Sequence, residues 1–193
     1  MEFLIRYGWM ILLVLVFLSC FVTVNQGLIG VVTMFGKYKR IMRPGLNFKI
    51  PFFEQIYKKV SIQNRSVELE FQAVTVDQAN VYFKSMLLYS VINIEEETIK
   101  NVAFKFISEK DLMQALIRTV EGSIRAFVST KKQAEVLNVR RDIVDTVKEQ
   151  VDVRLEEWGY HLQDLQINDI TFDEAIITSM RDRKSTRLNS SHG

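Results

Sequence analysis

Cysteine is almost missing from this sequence. Cys20 is the only one, so an intramolecular disulfide and a cysteine-built zinc site are both excluded. Long apolar runs are scarce as well. Hydrophobic residues make up 48% of the chain and charged residues 25%, yet only one apolar run, near the N-terminus, approaches membrane-spanning length, which excludes a polytopic membrane protein. Neither a G-x-S-x-G elbow nor a P-loop occurs. A strong charge excess is also missing at net +2, but the charges are unevenly placed. Residues 24–65 hold eight Lys/Arg against Glu54 alone, whereas residues 66–180 hold 12 Lys/Arg and 20 Asp/Glu. The basic part adjoins the apolar run, and anionic head groups attract such a stretch by about 1 kcal/mol per nearby Lys or Arg. A nucleic-acid interface would gather its excess on one helix or aromatic sheet, so no nucleic-acid partner is expected.

The apolar run covers residues 7–24 without a charge. A helix needs about 20 residues at about 1.5 Å each to cross a hydrocarbon core of about 30 Å. Phe3 to Ile5, with Arg6 snorkelling, extend the run to that length, and Tyr7 and Trp9 stand where an interfacial aromatic belt would lie. A cleaved signal peptide would need small residues at the cut, and a lipoprotein site at Leu18-Ser19-Cys20 would carry bulky Phe17. The run is therefore read as a single-pass anchor over residues 1–24. Lys37, Lys39, Arg40 and Arg43 follow it, against Arg6 and the α-amino group before it, which places the following domain on the cytoplasmic side.

Beyond the anchor, strands come first. Residues 28–35 are β-rich between Gly27 and Gly36, Arg43-Pro44-Gly45-Leu46 has turn chemistry, and Pro51 bars residues 47–53 from a central strand. Residues 55–63 read as a strand. Val67, Leu69 and Phe71 alternate with polar residues, as in a half-buried antiparallel strand. A turn at 77–80 leads to a long strand at 81–93. Helices follow. Ile99, Val102, Ala103 and Phe106 share one face; Ser108 to Asp111 form a capping box opening a helix through Leu112, Leu116, Val120, Ile124 and Phe127. Asn138 is a candidate N-cap for a helix buried through Val144, Val147, Val151, Leu155 and Trp158, which stops at Gly159. Residues 162–172 return to strand, and Asp173 would cap a further helix carrying Ile176, Ile177 and Met180. This order predicts an α+β fold, an antiparallel sheet packed by helices. The domains are read as a β-rich membrane-proximal part at 25–95, a helical α+β part at 96–180, and a non-native-looking tail at 181–193.

Four stretches together resemble the SPFH (band 7) family, which includes stomatin, prohibitin and flotillin. They are Val24-Asn25-Gln26-Gly27-Leu28-Ile29-Gly30-Val31-Val32 running to Phe35-Gly36-Lys37, Arg43-Pro44-Gly45-Leu46-Asn47-Phe48-Lys49-Ile50-Pro51-Phe52, Val74-Thr75-Val76-Asp77-Gln78-Ala79-Asn80-Val81, and Glu157-Trp158-Gly159-Tyr160 followed by Ile167-Asn168-Asp169-Ile170. The likeness spans residues 24–180 and departs where the family often has a proline, at Thr171 to Asp173. These motifs are turns and stops, so they specify fold rather than chemistry. The resemblance implies a membrane scaffold that forms homo-oligomers, contacts the lipid bilayer, organises membrane microdomains and modulates membrane proteins such as proteases. The alternative it leaves open is a regulatory subunit dedicated to one membrane protease. It also implies a long assembly helix beyond residue 180; with the tail ending as it does, this chain is expected to be assembly-deficient.

No enzyme, cofactor or metal is expected. Ser129-Thr130-Lys131-Lys132 formally matches Ser-x-x-Lys but reads as a solvated loop without companion motifs. His161 reads as a surface strand residue, Glu95 to Glu97 as the acidic first turn of a helix, and Glu68 with Glu70 as a solvent face. The candidate site is apolar: Phe48, Ile50, Pro51, Phe52 and Phe53 with Lys49 among them. Two readings stay open for these six residues, shallow insertion beneath the lipid head groups or ordinary core packing.

Overall fold

A computed structural model describes residues 2–172, with side chains from Arg6 onward. The described chain divides into two compact units, residues 2–64 with 90–107 and residues 65–89 with 108–172. The division interleaves the chain: the long strand pair at 65–91 belongs mostly with the later helices, and the first helix after it belongs with the early strands.

The first unit opens with α1 (Glu2–Ser19), followed by β1 (Phe21–Val24), β2 (Leu28–Met34), β3 (Lys37–Met42), β4 (Gly45–Phe48), β5 (Glu54–Ser61) and, after the second unit's strands, α2 (Glu96–Phe104). The expected helix over residues 1–24 is thus shortened. Phe21, Val22, Thr23 and Val24, aromatic and β-branched, pair antiparallel with Phe48, Asn47, Leu46 and Gly45, and this ladder ends the helix at Ser19. Among the described residues no helix is long and apolar enough to cross a membrane. β2 is the middle strand of a β3-β2-β5 sheet and is buried through its centre, which explains its unbroken Ile29-Gly30-Val31-Val32 run. Gly30 is closely approached: an added Cβ would stand 3.3 Å from the Met42 Cβ, so Met42 would have to give by a few tenths of an ångström. Val24, Val32 and Met42 form a small core, with Val22, Leu28 and Ile56 against it. In α2, Ile99, Val102 and Ala103 are buried as expected, but the helix stops before Phe106.

The second unit holds β6 (Arg65–Val74), β7 (Asn80–Val91, whose last two residues fall in the first unit), α3 (Glu109–Val128), α4 (Gln133–Val136), α5 (Arg140–Glu156) and β8 (Tyr160–Phe172). β6 and β7 pair antiparallel from Arg65↔Tyr89 to Val74↔Asn80, and the sheet order is β6-β7-β8. Period-two burial in β6 is complete, and cross-strand partners Phe71 and Phe83 stack at 5.5 Å. The Ser108 capping box opens α3, which buries Leu112, Leu116, Val120, Ile124 and Val128. Phe127 is only half-buried. α4 is an unexpected single turn, and α5 starts at Arg140 with Val139, not Asn138, as its N-cap. Ile143 rather than Val144 opens its buried stripe, which continues through Val147, Val151 and Leu155. Gly159, at φ 87°, takes the left-handed step from α5 into β8. The fold is α+β, with three small sheets among the described residues instead of one. The helix expected from Asp173 and the tail at 181–193 lie outside the described residues.

Candidate functional site

All six candidate residues lie between the start of β4 and the start of β5. Phe48 ends β4, residues 49–53 form the connection, and Glu54 opens β5. Phe48, Ile50, Phe52 and Phe53 are exposed, and Lys49 and Pro51 are half-buried. Phe52 is 88% exposed and adopts φ 68°, a left-handed conformation that costs a bulky residue about 1–3 kcal/mol. Phe48 meets Phe21 edge-on at 6.0 Å, and Phe21 meets Phe17 of α1 at 5.3 Å, so a line of rings joins the loop to the helix. The Lys49 N–H donates to the Cys20 carbonyl at 2.7 Å, tying the loop to the end of α1.

One buried carboxylate shapes this loop. Glu54 is 2% exposed. Arg40 Nη2 donates to its Oε2 at 2.9 Å, Lys39 Nζ stands 2.9 Å from its Oε1, and the Ile50 N–H donates to Oε2 at 3.1 Å. The Glu54 N–H returns to the Ile50 carbonyl at 3.0 Å, and Arg40 Nη2 also donates to the Phe48 carbonyl. Burial pushes the Glu54 carboxyl up, but the Arg40, Lys39 and Ile50 hydrogen bonds outweigh it and hold it down at about 2. The one acid of the 24–65 stretch is thereby buried and paired with two of its basic residues.

The sequence reading missed Phe35. It stands with Gly36 in the two-residue turn between β2 and β3, where Met34 pairs with Lys37. Both turn residues have positive φ, 51° and 79°, the signature of a type I′ hairpin. Phe35 is 75% exposed, and its ring meets Phe53 edge-on at 5.6 Å. Register explains the meeting: β2 pairs with β5 through Met34↔Glu54, which puts the hairpin tip and the 49–53 loop at the same end of the sheet. The dipeptide Phe-Gly between two β-rich runs was the available signal.

The other singled-out residues have structural partners. Ser129 Oγ donates to the Ala126 carbonyl at 2.9 Å, and Lys131 lies 5.3 Å over the Phe127 ring, so Ser129 is turned back to its own helix. In the Thr75–Asp77 motif, Thr75 Oγ1 donates to Asp77 Oδ1, which also accepts the Gln133 N–H at 3.1 Å and opens α4. The Thr75 hydroxyl foremost holds the Asp77 carboxyl below the usual range. His161 Nδ1 stands 3.0 Å from Asp152 Oδ1, which also accepts the Leu162 N–H at 2.9 Å. Glu156 is near enough that one donor atom from each of the three lies within 4.8 Å of the others, but the Asp152 oxygen is already engaged in closing the α5–β8 turn.

Comparison with known proteins fixes the lineage. The family described as SPFH domain / Band 7 matches residues 22–189. The chain belongs to the SPFH/band 7 family. An uncharacterized protein of Methanocaldococcus jannaschii is 26% identical over 185 residues, covering 93% of this chain and 88% of that protein. A putative band 7 family protein of Acanthamoeba polyphaga mimivirus is 30% identical over 82% of this SPFH chain and 50% of its own length. HflK of Escherichia coli K12, named as a modulator of FtsH protease, is 25% identical over 89% of this chain. The chain thus spans about half of the viral protein and 40% of HflK.

Proposed function

We propose that this SPFH chain is a non-catalytic membrane scaffold that self-associates, gathers lipid around itself and modulates membrane proteins such as proteases. The observation that carries the membrane part is the exposure of α1. Trp9, Met10, Ile11, Leu12, Leu13, Val14, Leu15, Phe17 and Leu18 are all exposed, so over residues 9–18 the helix offers apolar side chains around its whole circumference. Apolar surface that extensive calls for lipid or a partner. Eighteen residues of helix reach about 27 Å, a little under the hydrocarbon thickness, and the Phe17–Phe21–Phe48 rings continue the apolar surface. In this reading α1 enters the bilayer, residues 48–53 rest in the interface, and Lys37, Lys39, Arg40 and Arg43 keep the folded units on the cytoplasmic side.

Extraction tests it. The protein should stay in the membrane pellet after carbonate and high-salt washing, whereas a chain starting at Gln26 should be released. Release of the whole protein by salt alone would replace anchoring with electrostatic adsorption and sink the reading.

The likeness to HflK favours a second reading, a regulatory subunit serving one membrane protease. Native electrophoresis of a longer version, continued through the assembly helix that the family resemblance implies beyond residue 180, separates the two. A ladder or large homo-oligomer supports the scaffold, and a single complex containing one protease supports the subunit.

A further inference from the structure

We propose that the β2–β3 hairpin tip is a second lipid-inserting element, in which Phe35 enters the interface of an anionic bilayer beside Phe52 and Phe53 while Lys37 and Lys49 face its head groups. The inference rests on the membrane reading of α1 and adds an element that the reading does not require.

The sequence chemistry of the turn is where the argument starts. A two-residue turn with both φ positive favours Asn-Gly or Asp-Gly, because a bulky side chain at the first position crowds its own backbone. Here that position is Phe35 at φ 51°. Packing compensates little, since Phe35 is 75% exposed and the ring it meets, Phe53, is itself exposed. Among the described residues the fold therefore gains little from an aromatic side chain at this position, and the turn itself is uncrowded, with open space where a Gly36 Cβ would be. The same combination recurs one loop away at Phe52, exposed and left-handed. Two turns at one end of a sheet each hold an aromatic ring out of the fold in a conformation that disfavours it.

The occupant follows from the surroundings. The rings adjoin the 48–53 loop, which is joined through Phe48 and Phe21 to α1, so the patch is continuous with the apolar helix. Lys37 is exposed next to the turn, Lys49 lies in the loop, and the nearby acid, Glu54, is buried and paired. Shallow apolar insertion ringed by cations matches an anionic bilayer surface.

The test uses the whole chain reconstituted into phosphatidylcholine vesicles with and without phosphatidylglycerol. In a C20S background, which removes the one native thiol, F35C carries a bimane fluorophore. Its emission should shift to the blue, resist aqueous iodide and be quenched by lipids bearing a shallow nitroxide, more so with phosphatidylglycerol present. A probe as open to iodide in vesicles as in detergent overturns the proposal. So does a probe shielded from iodide yet untouched by nitroxide lipids, which would mean that a protein surface or a second copy covers the tip. Carbonate extraction of the same sample keeps the two readings apart: an extracted chain means that α1 has failed, and a retained chain with an aqueous probe means that only the hairpin proposal has. F35N supplies the independent arm. The Asn-Gly turn should raise the thermal midpoint in detergent by about 2–4 °C, and a lowered midpoint would show that Phe35 is there for the fold.

Discussion

Glu54 shows how one side chain can position a surface loop. Its carboxyl is held at about 2 in the folded unit, below the ordinary 4.5. Folding therefore favours the ionised form, and this contribution to stability is complete above the ordinary carboxyl range. It is lost as pH falls through about 4.5 towards about 2. The midpoint of thermal unfolding in detergent should drop over that window in the wild type and drop less in E54Q. At neutral pH, E54A leaves the Ile50 N–H and two cations without their acceptor, a loss of about 1–3 kcal/mol measurable by denaturant unfolding. Neither Glu54 nor Phe35 stood out in the sequence. Glu54 reads there as a lone acid among bases, and Phe35 as the end of a β-run. Their roles come from Arg40 and Ile50 in one case and Phe53 in the other, partners that strand register brings close.

At the scale of elements, the caps were legible and the ends of the helices less so. Ser108 and Asp111 form the expected reciprocal cap, with Ser108 Oγ accepting the Asp111 N–H at 3.2 Å and Asp111 Oδ2 accepting the Ser108 N–H at 3.1 Å. S108A should lower stability by about 1 kcal/mol, read from the denaturant midpoint. Gly159 was legible too, because only a residue that tolerates positive φ can turn α5 into β8. G159A should destabilise by about 1 kcal/mol or more in the same assay and loosen the Asp152–Leu162 contact. α4 escaped notice for a physical reason. One helical turn has no apolar period, and its first N–H, that of Gln133, is satisfied by Asp77, 56 residues earlier. Likewise, residues 21–24 looked helical because an apolar run has no period of its own, and it took Gly45–Phe48 to make them a strand.

For the molecule as a whole, the placement of charge bears on the proposed orientation. The basic residues gather in the first unit, next to α1, and the acidic excess falls mostly in the chain that follows. A topology reporter fused after residue 172 should be active only on the cytoplasmic side, and changing Lys37, Lys39, Arg40 and Arg43 together to Glu should weaken that preference. A wild-type reporter active only on the opposite side would overturn the orientation. The SPFH membership and the likeness to HflK give this geometry its context, while the matched part covers under half of that relative.

Local chemistry alone was enough for much of the molecule. The alternation of Val67, Leu69 and Phe71, the Ser108 cap and the Gly159 stop depend on neighbours within a few residues, so their outcome could be read along the chain. The α+β class followed from their order. Tertiary structure decided what depends on partners far apart in sequence: that β1 leaves α1 to pair with β4, that β6 and β7 join the later helices instead of the early strands, and that Phe35 meets Phe53 while Glu54 is buried against Arg40. The reason is that strand pairing carries no local sequence period of its own. It is chosen by which edges and apolar faces can be buried together, and that choice placed two strained aromatic turns at one end of the first unit's sheet.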